Sequence, residues 1–338
     1  MLCIPQSNRR KVAIIMVEGN KTKNFWRAML YLSPAIILLA VFTFYPVLQT
    51  FVISFNYQYN YMLSSKGYFA PYNPEGWGIQ NYITIFSEGS PFLQCLLNTM
   101  IIVFVSVPIS IALSLLIAVA LNSIKPLQKL LQTIFFLPYV TNTIAIGMVF
   151  SVMFESQQGL MNTILNTLGE GSINWLGGNP DAGLLFDSQF FTSLVVLISY
   201  IVWNSLPFKV IILLSALQSV DRQYYQAAQI DGTSKFRTFT KITVPLLSPQ
   251  IFYLLITSFI GAFKEYTSVV AIFGNTASSI GSHNNMATVV WFIYDKIKGE
   301  GAGGKTMGYA SAGAVVLFLI ILFFTGINKI IEKKKVHF

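Results

Sequence analysis

Long apolar runs alternate with shorter polar connections along almost the whole chain. The runs fall at about 29–55, 95–121, 130–154, 191–217, 250–274 and 307–328. A helix crossing a hydrocarbon layer needs about 20 residues, so each run predicts one membrane-spanning helix, with room for tilt. Pro34, Pro46, Pro108, Pro138 and Pro207 lie inside these runs, and Pro138 and Gly147 are expected to break the third. Such prolines are tolerated in spanning helices where neighbours satisfy the freed backbone groups. The pattern predicts an all-α, polytopic membrane protein with six transmembrane helices and both termini on one side.

One polar interruption stands out, Ser219 to Pro249, reading SVDRQYYQAAQIDGTSKFRTFTKITVPLLSP. It has the layout of two short helices joined by a sharp turn. The first runs from about Asp221 to Ile230, with Ala227 and Ala228 favouring helix. Gly232 suits a left-handed turn. Ser234 is placed to cap a second helix, with Phe236, Phe239 and Ile242 at helical spacing and Pro245 expected to end it. Arg222, Lys235, Arg237 and Lys241 give the hairpin a basic edge.

The run Gln226-Ala227-Ala228, then Asp231-Gly232, then Ile242-Thr243-Val244-Pro245-Leu246-Leu247 resembles the EAA loop of importer permeases in the ABC superfamily. The maltose-type (MalF-like) sugar permeases are the most similar. Asn98-Thr99, Phe136-Leu137-Pro138 and Gly308-Tyr309-Ala310-Ser311-Ala312 extend the resemblance to roughly residues 30–328. It implies a type I ABC importer permease fold. It also implies a second homologous permease, two ABC ATPase subunits that dock on this loop, an extracytoplasmic solute-binding protein and a carbohydrate substrate. The coupling residues it implies are Tyr225, Gln226, Ala227, Ala228, Asp231, Gly232, Phe236, Ile242 and Pro245. Gln226 departs from the family's usual Glu, and Gly274-Asn275 stands where close relatives carry a GGP-like turn. The implied divisions are a tail (1–28), a first helix and loop (29–94), a permease domain (95–328, coupling loop 219–249) and a basic tail (329–338).

Charge then fixes an orientation. Only 10% of residues are charged, against about a quarter in a soluble chain. The N-terminal tail, the turn 123–129, the hairpin and the C-terminal tail hold six, two, four and four Lys or Arg, 16 of the 22. Eight of the 13 acids lie in the opposite loops. The positive-inside rule therefore puts both termini and the hairpin in the cytoplasm. The net charge of +9 is read as membrane topology, with the lipid bilayer as its partner, and not as a nucleic-acid patch. No cleaved signal peptide is expected, and Met1 and Met16 both remain as starts.

Candidate chemistry is sparse. Cys3 and Cys95, and His283 and His337, are isolated, so no metal site, cofactor or catalytic set is expected. The run Gly299 to Thr306 fits GxxxxGK[ST], but it precedes a membrane span and falls on the outer side, so it is read as a loop and not as a phosphate site. Mid-span polar residues are costly unless they face a cavity or a partner. Lys264 and Glu265, with Tyr266, are candidates for a substrate pathway or for a subunit contact. Trp203 and Asn204, beside Ser205 and Pro207, and Asn142, after Pro138, are candidates for the pathway or for helix packing. Lys209 is expected to snorkel towards the cytoplasm. Two alternatives stay open: an ABC importer of glycerol phosphate or another polar solute, and an ion-coupled secondary transporter.

Overall fold

The computed structural model describes residues 21–59, 72–124, 128–176, 188–274, 286–298 and 306–335. The expectations for the 60–71 loop, for Lys125 and Lys305, and for nearly all of the GxxxxGK[ST] run lie outside these residues. The chain divides into two compact units, Met1–Ile53 and Ser54–Phe338.

The first unit holds helix α1 (Lys21–Leu39), a π turn (Ala40–Phe44) and most of α2 (Tyr45–Ser54). The π turn has a local cause. Pro46 has no N–H to give the carbonyl four residues back, and the wider turn lies where that bond is missing. Thr50 donates its hydroxyl to Pro46 O one turn back (2.8 Å).

The second unit contains α3 (Gln80–Phe86), α4 (Phe92–Ser123), α5 (Gln128–Val140), α6 (Thr143–Met153), α7 (Leu160–Thr167) and α8 (Ser188–Ser219). The hairpin follows as α9 (Arg222–Ile230), α10 (Lys235–Thr238), a π turn (Phe239–Thr243) and α11 (Val244–Leu246). Then come α12 (Ser248–Phe263), α13 (Thr267–Phe273), α14 (Val289–Lys298) and α15 (Met307–Lys335). Among the described residues four helices are long and apolar enough to cross a membrane, and up to six if each of two bent pairs counts as one span.

Three local expectations are corrected. The third apolar run is broken, but at neither Pro138 nor Gly147: Pro138 lies inside α5, and α5 and α6 meet at 94°. The break falls at Thr141–Asn142, where the Asn142 side chain accepts the N–H groups of Ile144 (2.9 Å) and Ala145 (3.3 Å) and so starts a new helix. Gly147 does not break α6. A Cβ there would run into that of Ala271, so the glycine lets α6 cross α13 closely. Secondly, Pro245 does not end the hairpin. As at Pro46, a π turn ends two residues before the proline, and the helical path continues to Leu246 before bending by 68° into α12. Thirdly, the fifth run is interrupted at Lys264–Tyr266, and Gly274 (φ +82°) closes the short helix beyond.

That interruption is braced from two sides. Thr288 donates its hydroxyl to Glu265 O (2.7 Å), and Asn98 donates its amide to Ala287 O (3.0 Å). Long helices α4 and α8 run against each other through the centre. Ile102, Val103 and Val107 of α4 and Leu197, Tyr200 and Ile201 of α8 belong to one buried core. A second cluster joins Leu115 and Leu121 to Val210, Leu213 and Leu217, and packs Leu247, Val244 and Phe239 beneath the hairpin. The hairpin is thus set on the end of the core and not hung from a free loop.

Candidate functional site

A cavity of about 330 Å³ opens where α4, α8 and α12 converge. This is at the lower end of the range for small-molecule sites. Polar groups line it from each side: Ser106 and Ser110 on α4, Asn204, Ser205 and Lys209 on α8, Thr257 and Ser258 on α12, then Glu265 and Ser268. Tyr139 and Phe208 add an aromatic wall, their rings stacked with centroids 5.8 Å apart. Helical spacing explains the convergence. Ser106 and Ser110, and Ser205 and Lys209, are each four residues apart and share a helix face.

Lys209 is 5% exposed. Its ammonium donates to the Ser110 and Ser205 hydroxyls, the latter at 3.2 Å. The expectation that Lys209 snorkels to the membrane edge is therefore overturned: its stem turns into the helix cluster and its head group is held there. Glu265, half-buried, accepts the Ser268 N–H on Oε1 (2.9 Å). The break at Lys264–Tyr266 makes this possible, because a continuous helix would keep that N–H for its own ladder. Ser106 Oγ is fully buried without a hydrogen-bond partner.

The hairpin forms from its own caps. Asp221 accepts the Gln223 N–H (3.0 Å) and starts α9. At the other end Gly232 takes φ +65°, Thr233 N–H reaches Ala228 O (2.9 Å) and Gly232 N–H reaches Gln229 O (3.1 Å). This pair of bonds is a Schellman closure. Ser234 Oγ then accepts the Arg237 N–H (3.4 Å). The hydroxyls of Tyr225 and Thr243 lie 3.4 Å apart across the two arms. Ala228 is buried, while Ile230 and Phe236 are 86% and 77% exposed.

Residues 80–337 match the family described as binding-protein-dependent transport system inner membrane component. The chain belongs to this family. It is therefore a multi-pass membrane component of a transport system. The lactose transport permease LacF of Rhizobium radiobacter is 33% identical, covering 79% of this chain and 81% of that protein. The arabinooligosaccharides permease AraP of Halalkalibacterium halodurans is 33% identical, covering 86% and 82%. The trehalose/maltose permease MalF of Thermococcus litoralis is 30% identical, covering 88% and 90%. A chain of a bacterial alginate ABC transporter, solved in complex with an alginate pentasaccharide-bound periplasmic protein, shares the fold. Its TM-score is 0.73 at 21% identity, covering 92% of this chain and 96% of that one.

The structure separates the candidate pathway residues of this family member. Asn204 and Glu265 line the cavity. Asn142 spends its side chain on the α6 cap. Trp203 packs on Phe150, Tyr266 on Tyr294, and Lys264 is exposed at the break. Sequence reading missed Ser106 and Ser110, because a serine in an apolar run carries no signal by itself. Their i, i+4 spacing facing Ser205 and Lys209 was the available clue.

Proposed function

We propose that this chain is the permease subunit of an ATP-driven, binding-protein-dependent importer of carbohydrate, working by alternating access. A second homologous permease completes the pathway, two ABC ATPases supply the hydrolysis, and an extracytoplasmic binding protein delivers the solute. Both termini and the hairpin lie in the cytoplasm, a reading supported by the segregation of basic residues. The relatives that transport lactose, arabinooligosaccharides and trehalose/maltose support the substrate class.

The observation that carries the reading is the capped hairpin. It is a rigid polar element seated on the core, yet it leaves Tyr224, Ile230 and Phe236 exposed. Exposed anchors of this kind on a preformed helix suit a groove on a partner. Tyr225, Gln226, Ala227, Asp231, Ile242 and Pro245 belong to the same coupling element, with Gly232 at its turn and Ala228 buried within it. The cavity supplies the pathway, with Asn204 and Glu265 as solute contacts.

Reconstitution tests this reading. The permease pair and its ATPases, placed in liposomes with the binding protein, should take up labelled oligosaccharide only when ATP is enclosed with the ATPase side. Uptake that survives ATP removal and follows a proton or sodium gradient would assign the chain to ion-coupled transport instead. Uptake of glycerol phosphate in preference to any saccharide would keep the mechanism and change the substrate.

A further inference from the structure

The cavity is not electrically balanced at the level of contacts. An ammonium has three N–H donors, and two of those on Lys209 are met by neutral hydroxyls, Ser110 and Ser205. Among the described residues the salt bridge is Lys296 to Asp295, and Lys209 forms none. Glu265 is placed differently: a peptide N–H already meets its carboxylate, and it is half-buried where Lys209 is buried. Ser106 adds an unused hydroxyl on the same wall. A buried cation surrounded by neutral acceptors is costly until an anion joins it.

We propose that Lys209 reads an oxyanion on the solute, so that the pathway takes an acidic saccharide. Ser110 and Ser205 accept from Lys209 and donate to Val107 O and Val202 O, so the acid group takes the ammonium's remaining N–H, and ring hydroxyls donate to Glu265. This inference rests on the reading of the cavity as the solute pathway given above. A carboxylate and a phosphate share the required chemistry, and both are included in the test.

The reporter is a thiol at Gly261, an exposed residue of the cavity wall where an added side chain meets open space. Gly261→Cys is made in a chain with Cys3 and Cys95 replaced, and the assembled permease–ATPase complex is labelled in lipid nanodiscs. Two probe pairs compete with the label: oligogalacturonates against their methyl esters, and a hexose phosphate against the free hexose. Within at least one pair, the anionic member should slow labelling at a concentration about tenfold lower than its neutral counterpart, the difference expected of one charge-assisted contact. Lys209→Met should abolish that ratio and Lys209→Arg should keep it. Neutral members that protect equally well, or a ratio unchanged in Lys209→Met, would overturn the inference while leaving the pathway in place. If none of the four probes slows labelling, the cavity is not the solute site, and both the pathway reading and this inference fall.

Discussion

At the scale of single residues, Glu265 and Gly147 carry separable roles. Glu265 combines a charge in the cavity with a cap on the Ser268 N–H. Glu265→Gln keeps an acceptor for that N–H and removes only the charge, whereas Glu265→Ala removes both. Both variants should insert and assemble. Uptake by proteoliposomes is expected to fall about tenfold or more in each, which is the effect of losing one charged hydrogen bond to the solute. Wild-type uptake by Glu265→Ala would remove Glu265 from the pathway. Gly147 is a packing residue, because its missing Cβ is what lets α6 approach Ala271. Gly147→Leu should lower stability by roughly 1–3 kcal/mol through overpacking, read as a lower midpoint of thermal unfolding in detergent. These two roles were unequally legible in the chain. An acid inside an apolar run announces itself by its cost. The identity of its neighbours did not, because the break that turns Glu265 towards Ser268 has no proline or glycine to mark it.

At the scale of elements, the hairpin depends on one backbone conformation. Gly232 sits at φ +65° with open space around it, so a side chain there meets strain and not a clash. Gly232→Val should cost roughly 1–2 kcal/mol locally, and Gly232→Pro should cost more because its φ is fixed negative. The transmembrane helices do not rely on this turn, so both variants should insert normally. ATPase co-purification in detergent and solute uptake are expected to fall together. Full retention of both in both variants would show that residues 219–249 do not couple the subunits. Asp221, Gly232 and Ser234 announced this hairpin from sequence because capping is local chemistry. The path through Pro245 was not announced. A proline usually stops a helix, and only the packing of Phe239, Val244 and Leu247 on the core shows why this one is carried past. A π turn precedes both Pro46 and Pro245, whereas Pro34, Pro108, Pro138 and Pro207 lie within α-helix without one.

At the scale of the whole molecule, the number of spans followed from hydrophobic run length, while their straightness did not. Run length counts apolar residues and is blind to direction, so a break in the third run was expected at Pro138 and Gly147, but neither its place at Thr141–Asn142 nor its 94° angle was legible. Orientation is testable with cysteines placed on exposed positions. Lys235→Cys should resist an impermeant maleimide in intact cells, and Glu170→Cys should react. The reverse pattern would invert the topology. The long contact between α4 and α8 has a mechanical consequence. Ser110 and Ser114, both buried, return their hydroxyl protons to Val107 O and Ile111 O of their own helix. Small side chains let the two helices lie close, but these protons do not fasten one to the other. Among the described residues, the hydrogen bond that crosses along this stretch is Lys209 to Ser110. Around it the seam is packed by apolar side chains, so the pair is a bearing with a pin through it, and whatever draws the lysine away withdraws the pin.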